Sequence, residues 1–432
     1  MAGREGLRVG FFPAFFNLGE TQRLVRIAKC FKELGGEAVF FSHGGEYEWL
    51  AEEAGFEVIR VEPIYSEQEI KRLWELERSQ SILRLMLEEP YPEKWLVEHV
   101  ENELEAYRDE AVDCVFTASN ASSVISARVA GLTLVSIVPG TLIPPYFEAG
   151  YGSWPDQFEN FFTRLLPKRL KDRLFNWLVL HEKMGVGTFN RVAKRFGVKE
   201  FRSSFDLLLG DVTLVTDFPE YLGIEPNGEF PRENFIGPFS PLVTKPSDED
   251  LRRQHELVEF LEQGNSVLVS MGSSGCKEIF LRVVRALRGE GYNVVALYTS
   301  ILSEEEAREL GDEVFLVKWV PNVGDVYRAA SLLVIHGGEN TVHTAAYSGR
   351  PAVGIPMQFE QQFNLEALFR HGVGIMVSRK YFSEDKLVKA VRAIFNNYEK
   401  YLKNARMLAE RLPKPEGEKR GAKRLYEILL EE

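Results

Sequence analysis

The stretch Val334 to Asn364 reads VIHGGENTVHTAAYSGRPAVGIPMQFEQQFN, and its pattern decides the fold. A strand-like apolar run ends at His336, Gly337-Gly338 lets the backbone turn tightly, and Asn340-Thr341 opens a helix. A second strand-like run ends at Ile355-Pro356 and is followed by Glu360, Gln361 and Asn364. Strand, turn, helix and strand in this order form a unit of a parallel α/β sheet. The turn directs backbone N–H groups and the positive helix end at one spot, which suits a diphosphate, and His336 can add a hydrogen bond. A plain strand-to-helix turn with two permissive glycines has the same spelling. Glu360 and Gln361 suit vicinal hydroxyls. A solvated helix start is the commoner fate of such a pair, but here it stands in register with the glycine turn.

Around this unit the alternation continues. Strand-like runs precede it at Val267 to Ser270, Val294 to Tyr298 and Val314 to Val317, continuing the series of its own Leu332 to His336 and Ala352 to Ile355, with helices between them. Upstream, Pro238, Pro241, Pro246 and Ser247 make a stiff linker before a polar helix from Asp248 to Gln263. Before the linker a first series runs through Arg8 to Phe12, Glu37 to Phe41, Glu57 to Val61, Cys114 to Thr117, Leu134 to Val138 and Val212 to Thr216. Asn17-Leu18-Gly19 reads as a turn after the first of these, and Glu20 to Leu34 as a helix stopped by Gly35-Gly36. The segment Glu67 to Glu110 breaks the rhythm with two acidic amphipathic helices, read as an insertion on the flank. The expected fold class is α/β, two doubly wound Rossmann-like domains facing a central cleft, with ligands at the carboxyl ends of the strands. The expected domains are 1–237, with a helix at about 405–432 able to pack back on it, and 238–404.

Composition sets the class. The chain has 432 residues, 45% hydrophobic and 27% charged, with a net charge of -12. That is a globular composition, large enough for two cores, and one that argues against broad nucleic-acid binding. Cys30, Cys114 and Cys276 are far apart, so neither a disulfide framework nor a zinc site is expected, and a cytoplasmic protein fits. No run reaches the apolar length of a membrane span.

The Val334–Asn364 segment resembles the donor-site signature of GT-B-fold, nucleotide-sugar-dependent glycosyltransferases, the large UDP-glycosyltransferase family (glycosyltransferase families 1 and 28). The pattern stands here as His336-Gly337-Gly338-Glu339-Asn340-Thr341, then Gly349-Arg350-Pro351, then Pro356 to Asn364. FIGPF at 235–239 and VLVSMGSSG at 267–275 agree with it. The resemblance implies that His336, Asn340 and Thr341, with the Gly337-Gly338 turn, contact the diphosphate, and that Ser273 approaches it from the other side. It places Glu360 and Gln361 on sugar hydroxyls, and Trp319 with the Val320 backbone against the base. A tryptophan at a strand end is also common as packing. Two departures stand out. Glu360 replaces the family's usual aspartate, and Thr344 replaces the glutamate that binds the ribose hydroxyls, which brings deoxyribose donors such as dTDP-sugars into view beside UDP-sugars.

The same resemblance looks for a catalytic base in the turn after the first strand, commonly Gly-His. Here the chain reads Asn17-Leu18-Gly19-Glu20, and the stretch after a later strand, Thr117-Ala118-Ser119-Asn120, offers no carboxylate to orient a histidine. A carboxylate base at Glu20 needs no such partner. Alternatively, Glu20 serves only the electrostatics of a helix N-terminus. Asp248-Glu249-Asp250 spells the D-x-D of metal-dependent transferases but sits where an acidic helix start is expected. His43, His181 and His343 show no ligand spacing. Phe158 to Trp177 interleaves aromatics with Arg164, Lys168, Arg169, Lys171 and Arg173, either an amphipathic helix over the acceptor site or a peripheral membrane contact.

The reading is therefore a metal-independent, inverting glycosyltransferase without a cofactor, its nucleotide-sugar a co-substrate and its acceptor a hydroxyl compound, lipid or small molecule. A nucleotide-sugar 2-epimerase of the same fold and a silent donor-binding subunit remain the alternatives.

Overall fold

The structure is a computed structural model and describes residues 6–77, 91–241, 246–272, 275–298, 301–309 and 314–431. It divides into two compact units, one of Met1–Trp154, Asn160–Phe239 and Pro415–Glu432, the other of Pro155–Glu159 and Ser240–Lys414. The helix that returns to the first unit is Gly417–Glu431, whereas the helix Tyr398–Arg411 belongs to the second.

In the first unit, β1 (Arg8–Pro13), β2 (Glu37–Ser42), β3 (Val58–Arg60), β4 (Cys114–Ala118), β5 (Thr133–Val138) and β6 (Val212–Val215) form one parallel sheet. Their order is β3-β2-β1-β4-β5-β6, so the direction of winding reverses between β1 and β4. Both faces of the sheet are covered, which is why the strands read as near-continuous apolar runs. On one face Phe11 stacks on Phe40 at 5.3 Å and lies 5.5 Å from Phe116. Leu24, Ile27, Ala28 and Phe31 of the helix Leu18–Glu33 and Ala422, Leu425, Ile428 and Leu429 of Gly417–Glu431 complete that core. Each such leucine, isoleucine or phenylalanine, fully buried, contributes about 1.5–3 kcal/mol.

The other face corrects the flank reading of Glu67 to Glu110. Among the described residues the helices there are Glu67–Glu77 and Glu93–Asp109, and the second buries Leu96, Val97, Val100 and Tyr107 against Phe12, Val39, Phe41 and Val115. It is a structural layer of the sheet. Its acidic face masks this in the sequence.

In the second unit, β7 (Ser266–Ser270), β8 (Asn293–Leu297), β9 (Phe315–Val317), β10 (Leu332–Ile335), β11 (Ala352–Gly354) and β12 (Gly374–Met376) form a parallel sheet in the order β12-β11-β10-β7-β8-β9. Counted from its own first strand, this is the winding of the first unit again, with the reversal between β7 and β10. β12 is an addition to the five strands expected from the sequence. It is three residues long and only partly buried, so it carries little periodic signal. No helix among the described residues is long and apolar enough to cross a membrane.

Candidate functional site

The reversal between β7 and β10 is where an open α/β sheet binds ligands. At that point β10 ends, and His336, Gly337 and Gly338 lead into the helix Glu339–Ser348. Gly337 has φ 93°, and a Cβ there would meet the Gln361 carbonyl oxygen at 2.5 Å. Only glycine turns the chain this way against its neighbour. The His336 ring occupies the narrow space left by two other glycines. A Cβ on Gly272 would stand 2.7 Å from its Nε2, and one on Gly338 would stand 2.4 Å from the same atom. Burial pushes the His336 imidazole down to about 4, against a weaker hydrogen bond to the Ser270 backbone. At neutral pH the ring is uncharged, so toward an anion it can offer an N–H but no positive charge.

The helix beyond the turn is capped by Gly338, which has no side chain to satisfy its first amides. Asn340 is exposed at this end and Thr341 half-buried. Thr341 shares a hydrogen-bond group with Tyr327 and Ser270, in which burial raises the Tyr327 phenol to about 12. Thr344 lies a turn further on, and its hydroxyl donates to the Asn340 carbonyl at 2.7 Å.

The second loop of the signature is fastened to the first. Asn364, on the helix Phe359–Phe369, donates through Nδ2 to the Gly337 carbonyl at 3.1 Å and to Glu360 Oε1 at 3.2 Å. It is 3% exposed, and its bond to Gly337 is buried while that to Glu360 is partly so. Glu360 is half-buried. Gln361 is buried, and its amide oxygen accepts from the Met357 N–H at 2.8 Å, holding the loop after β11 in shape. Asn364 is thus a site residue for which the sequence suggested no role. The signal was its place as the last letter of the motif.

Pro155–Glu159 adds a further part that local sequence reading does not reach. The Asp156 N–H donates to Gln362 Oε1 at 2.9 Å, Phe158 lies 6.2 Å from Phe359, and Lys380 Nζ donates to the Glu159 carbonyl. The segment is held against the first turn of the helix that carries Glu360. Trp319 follows β9 and is 45% exposed, an indole outside the core; Val320 beside it is buried. Ser273 lies outside the described residues, directly after Gly272.

In the first unit, Asn17 is an N-cap and not part of a turn. Its side chain accepts from the Gly19 and Glu20 amides at 3.1 and 3.4 Å, and the helix starts at Leu18. Glu20 is therefore the third helical residue. Ser119, after β4, donates its hydroxyl to Glu20 Oε1 at 2.6 Å and has φ 56°, a left-handed conformation that is uncommon for serine. The two residues mark the winding reversal of this sheet. Asp250, of the D-x-D spelling, closes a capping box with Ser247. His43 is buried between the Val61 carbonyl and Glu103, each 2.7 Å from a ring nitrogen.

Comparison with known proteins identifies the architecture. Residues 266–425 match the family model of the glycosyltransferase family 28 C-terminal domain. A PGL/p-HBAD biosynthesis rhamnosyltransferase of Mycobacterium bovis is 24% identical over 326 residues, 74% of this chain and 68% of its own. The 2-hydroxyacylsphingosine 1-beta-galactosyltransferase of Rattus norvegicus is 26% identical over 262 residues, 58% of this chain and 47% of its own. Among solved structures, the glycosyltransferase VinC in complex with DTDP superposes with a TM-score of 0.62 at 14% identity, covering 99% of this chain and 100% of that one. The fold is GT-B, shared with these glycosyltransferases.

Proposed function

We propose that the chain transfers a sugar from a nucleotide-diphosphate donor to a hydroxyl acceptor, with inversion and without a metal ion. The observation that carries this reading is the Asn364 clamp, which ties the His336-Gly337-Gly338 turn to the Glu360 carboxylate. One rigid element thus presents an anion-binding helix end beside a group for sugar hydroxyls. The acceptor oxygen attacks the anomeric carbon as the bond from that carbon to the diphosphate oxygen breaks. Glu20 takes the acceptor proton. The diphosphate leaves toward the N-terminus of Glu339–Ser348, where backbone amides, Asn340, Thr341 and the neutral His336 donate to its growing charge. Glu360 holds the sugar. Gln361, whose oxygen is engaged by Met357, shapes the loop behind it.

A dTDP-sugar is favoured over a UDP-sugar, because Thr344 offers a single hydroxyl, already donating to the Asn340 carbonyl, where the resemblance expects a carboxylate able to accept from both ribose hydroxyls. The structural relative in complex with DTDP supports the same choice. A panel of UDP-, dTDP- and GDP-sugars tests the reading by thermal shift and by product analysis, since a ligand of the native state raises its melting temperature. Transfer, or slow hydrolysis to free sugar and nucleotide diphosphate, is expected. A sugar changed at C2 would favour an epimerase, and binding without turnover a silent subunit.

A further inference from the structure

The helices Phe161–Leu165 and Lys168–His181 carry the largest group of exposed apolar side chains among the described residues. Phe161 is 73% exposed, Phe162 77%, Leu165 70% and Trp177 58%, with Leu170 and Leu174 also exposed. On Lys168–His181 the exposed residues Leu170, Leu174 and Trp177 recur at helical spacing and so form one stripe. This is not an inner face left open by poor packing. The same helix buries Phe175 and Val179 on its opposite side. There Asn176 exchanges hydrogen bonds with the Gly152 backbone at 2.7 and 3.0 Å, and Asp172 accepts from the Trp154 N–H at 2.9 Å. The phenylalanine pair is likewise fixed, by a capping box between Asn160 and Thr163.

We infer that this surface docks on an anionic lipid bilayer, the two helices lying in the plane of the membrane interface. Charge decides the occupant. Along the apolar stripe stand Arg169, Lys171 and Arg173, with Arg164 on the preceding helix, while Lys168 pairs with Asp172 at 2.7 Å on the far side, in a chain whose net charge is -12. Arg169 and Arg173 run along one side of the stripe and Lys171 along the other, by helical geometry. A second copy of the chain would bring two basic faces together, and the cores of protein interfaces are depleted in charge. Aromatic and leucine side chains on one face with flanking lysine and arginine are instead what binds the boundary between headgroups and acyl chains. The inference does not depend on the transfer reaction, and a failure of either leaves the other standing.

Co-sedimentation with vesicles tests it, using phosphatidylcholine alone and equal parts phosphatidylcholine and phosphatidylglycerol. The wild-type protein is expected to bind the anionic vesicles, weakly or not at all the neutral ones, and less as salt is raised. Phe161→Ser with Phe162→Ser and, separately, Arg169→Glu with Arg173→Glu should each lower the partition by roughly tenfold or more. All four side chains are exposed, so the variants should keep the wild-type melting temperature. Absence of wild-type binding to anionic vesicles overturns the inference, as does unchanged binding by both double variants. A wild-type dimer that the phenylalanine variant converts to monomer would assign the surface to a second copy of the chain.

Discussion

The Ser119 hydroxyl, standing after β4, donates a 2.6 Å hydrogen bond to the carboxylate of Glu20, three residues into the helix after β1. It fixes a carboxylate at the winding reversal of the first sheet, where the proposed transfer needs a base. Glu20→Gln should lower transfer by roughly 10²–10⁴-fold while nucleotide affinity stays unchanged. Ser119→Ala should cost about tenfold in kcat, the worth of one hydrogen bond to a charged group. Ser119→Gly removes the same bond but relieves the left-handed backbone, so it should melt higher than Ser119→Ala, by about 1 kcal/mol of stability. A Glu20→Gln enzyme with near wild-type turnover would remove Glu20 from the chemistry.

Asn364 holds two loops together through one buried and one partly buried bond. Asn364→Ala leaves the Gly337 carbonyl and Glu360 without that donor, and should destabilise the protein by about 1–3 kcal/mol. Affinity for the nucleotide diphosphate should fall with it, because the turn that presents the helix amides loses its brace. Thermal unfolding and calorimetric titration measure the two effects. An intact affinity in a destabilised variant would mean that the turn holds its shape unaided.

His336 makes stability depend on pH. The unfolded chain takes up its proton near 6.5, whereas the folded protein does so only near 4. Its contribution is therefore present above pH 6.5 and is lost as pH falls toward 4, a change of about 3 kcal/mol at most. His99, pushed down to about 3 chiefly by burial, acts in the same direction. His336→Asn should flatten the fall in melting temperature between these pH values without abolishing it. Parallel curves for variant and wild type would show that His336 is not buried neutral. The same variant should weaken nucleotide diphosphate binding at pH 7 by roughly 1–3 kcal/mol.

On the proposed reading, Thr344 bears on the choice of nucleotide. Thr344→Val removes a hydroxyl that is engaged with Asn340, so affinity for dTDP should change by less than about threefold. Thr344→Glu supplies a carboxylate at the helical position where the family binds ribose, and should raise affinity for UDP relative to dTDP by about tenfold. A large loss in Thr344→Val would show that the threonine itself reads the nucleotide.

The strands and the donor-site turn were legible because local rules decide them. The apolar runs, the glycines at 337 and 338, and the spacing from His336 to Glu360 are all read within a window of some thirty residues. What was not legible is set by distant pairing. Ser119 meets Glu20 across 99 residues of sequence, and Asp156 meets Gln362 across 206. Neither bond leaves a periodic trace. The helix Glu93–Asp109 was legible as a helix but not as a layer of the sheet, since its exposed acidic face outweighs the narrow stripe of Leu96, Val97 and Val100.

The helix Gly417–Glu431 gives the first unit a particular order of assembly. Ala422, Leu425, Ile428 and Leu429 close a core that also holds Phe11, Ile27 and Phe31, and Glu418 pairs with Arg26 at 2.9 Å. At Gly421 a Cβ would stand 3.0 Å from Ile27 Cδ1, so the helix packs closely here. On the ribosome, all of residues 240–414 must emerge before that core can shut. Until then the underside of β1, β2 and β4 is exposed to water, and the second unit, contiguous apart from five residues, has the head start. The half of the molecule translated first is thus the half completed last.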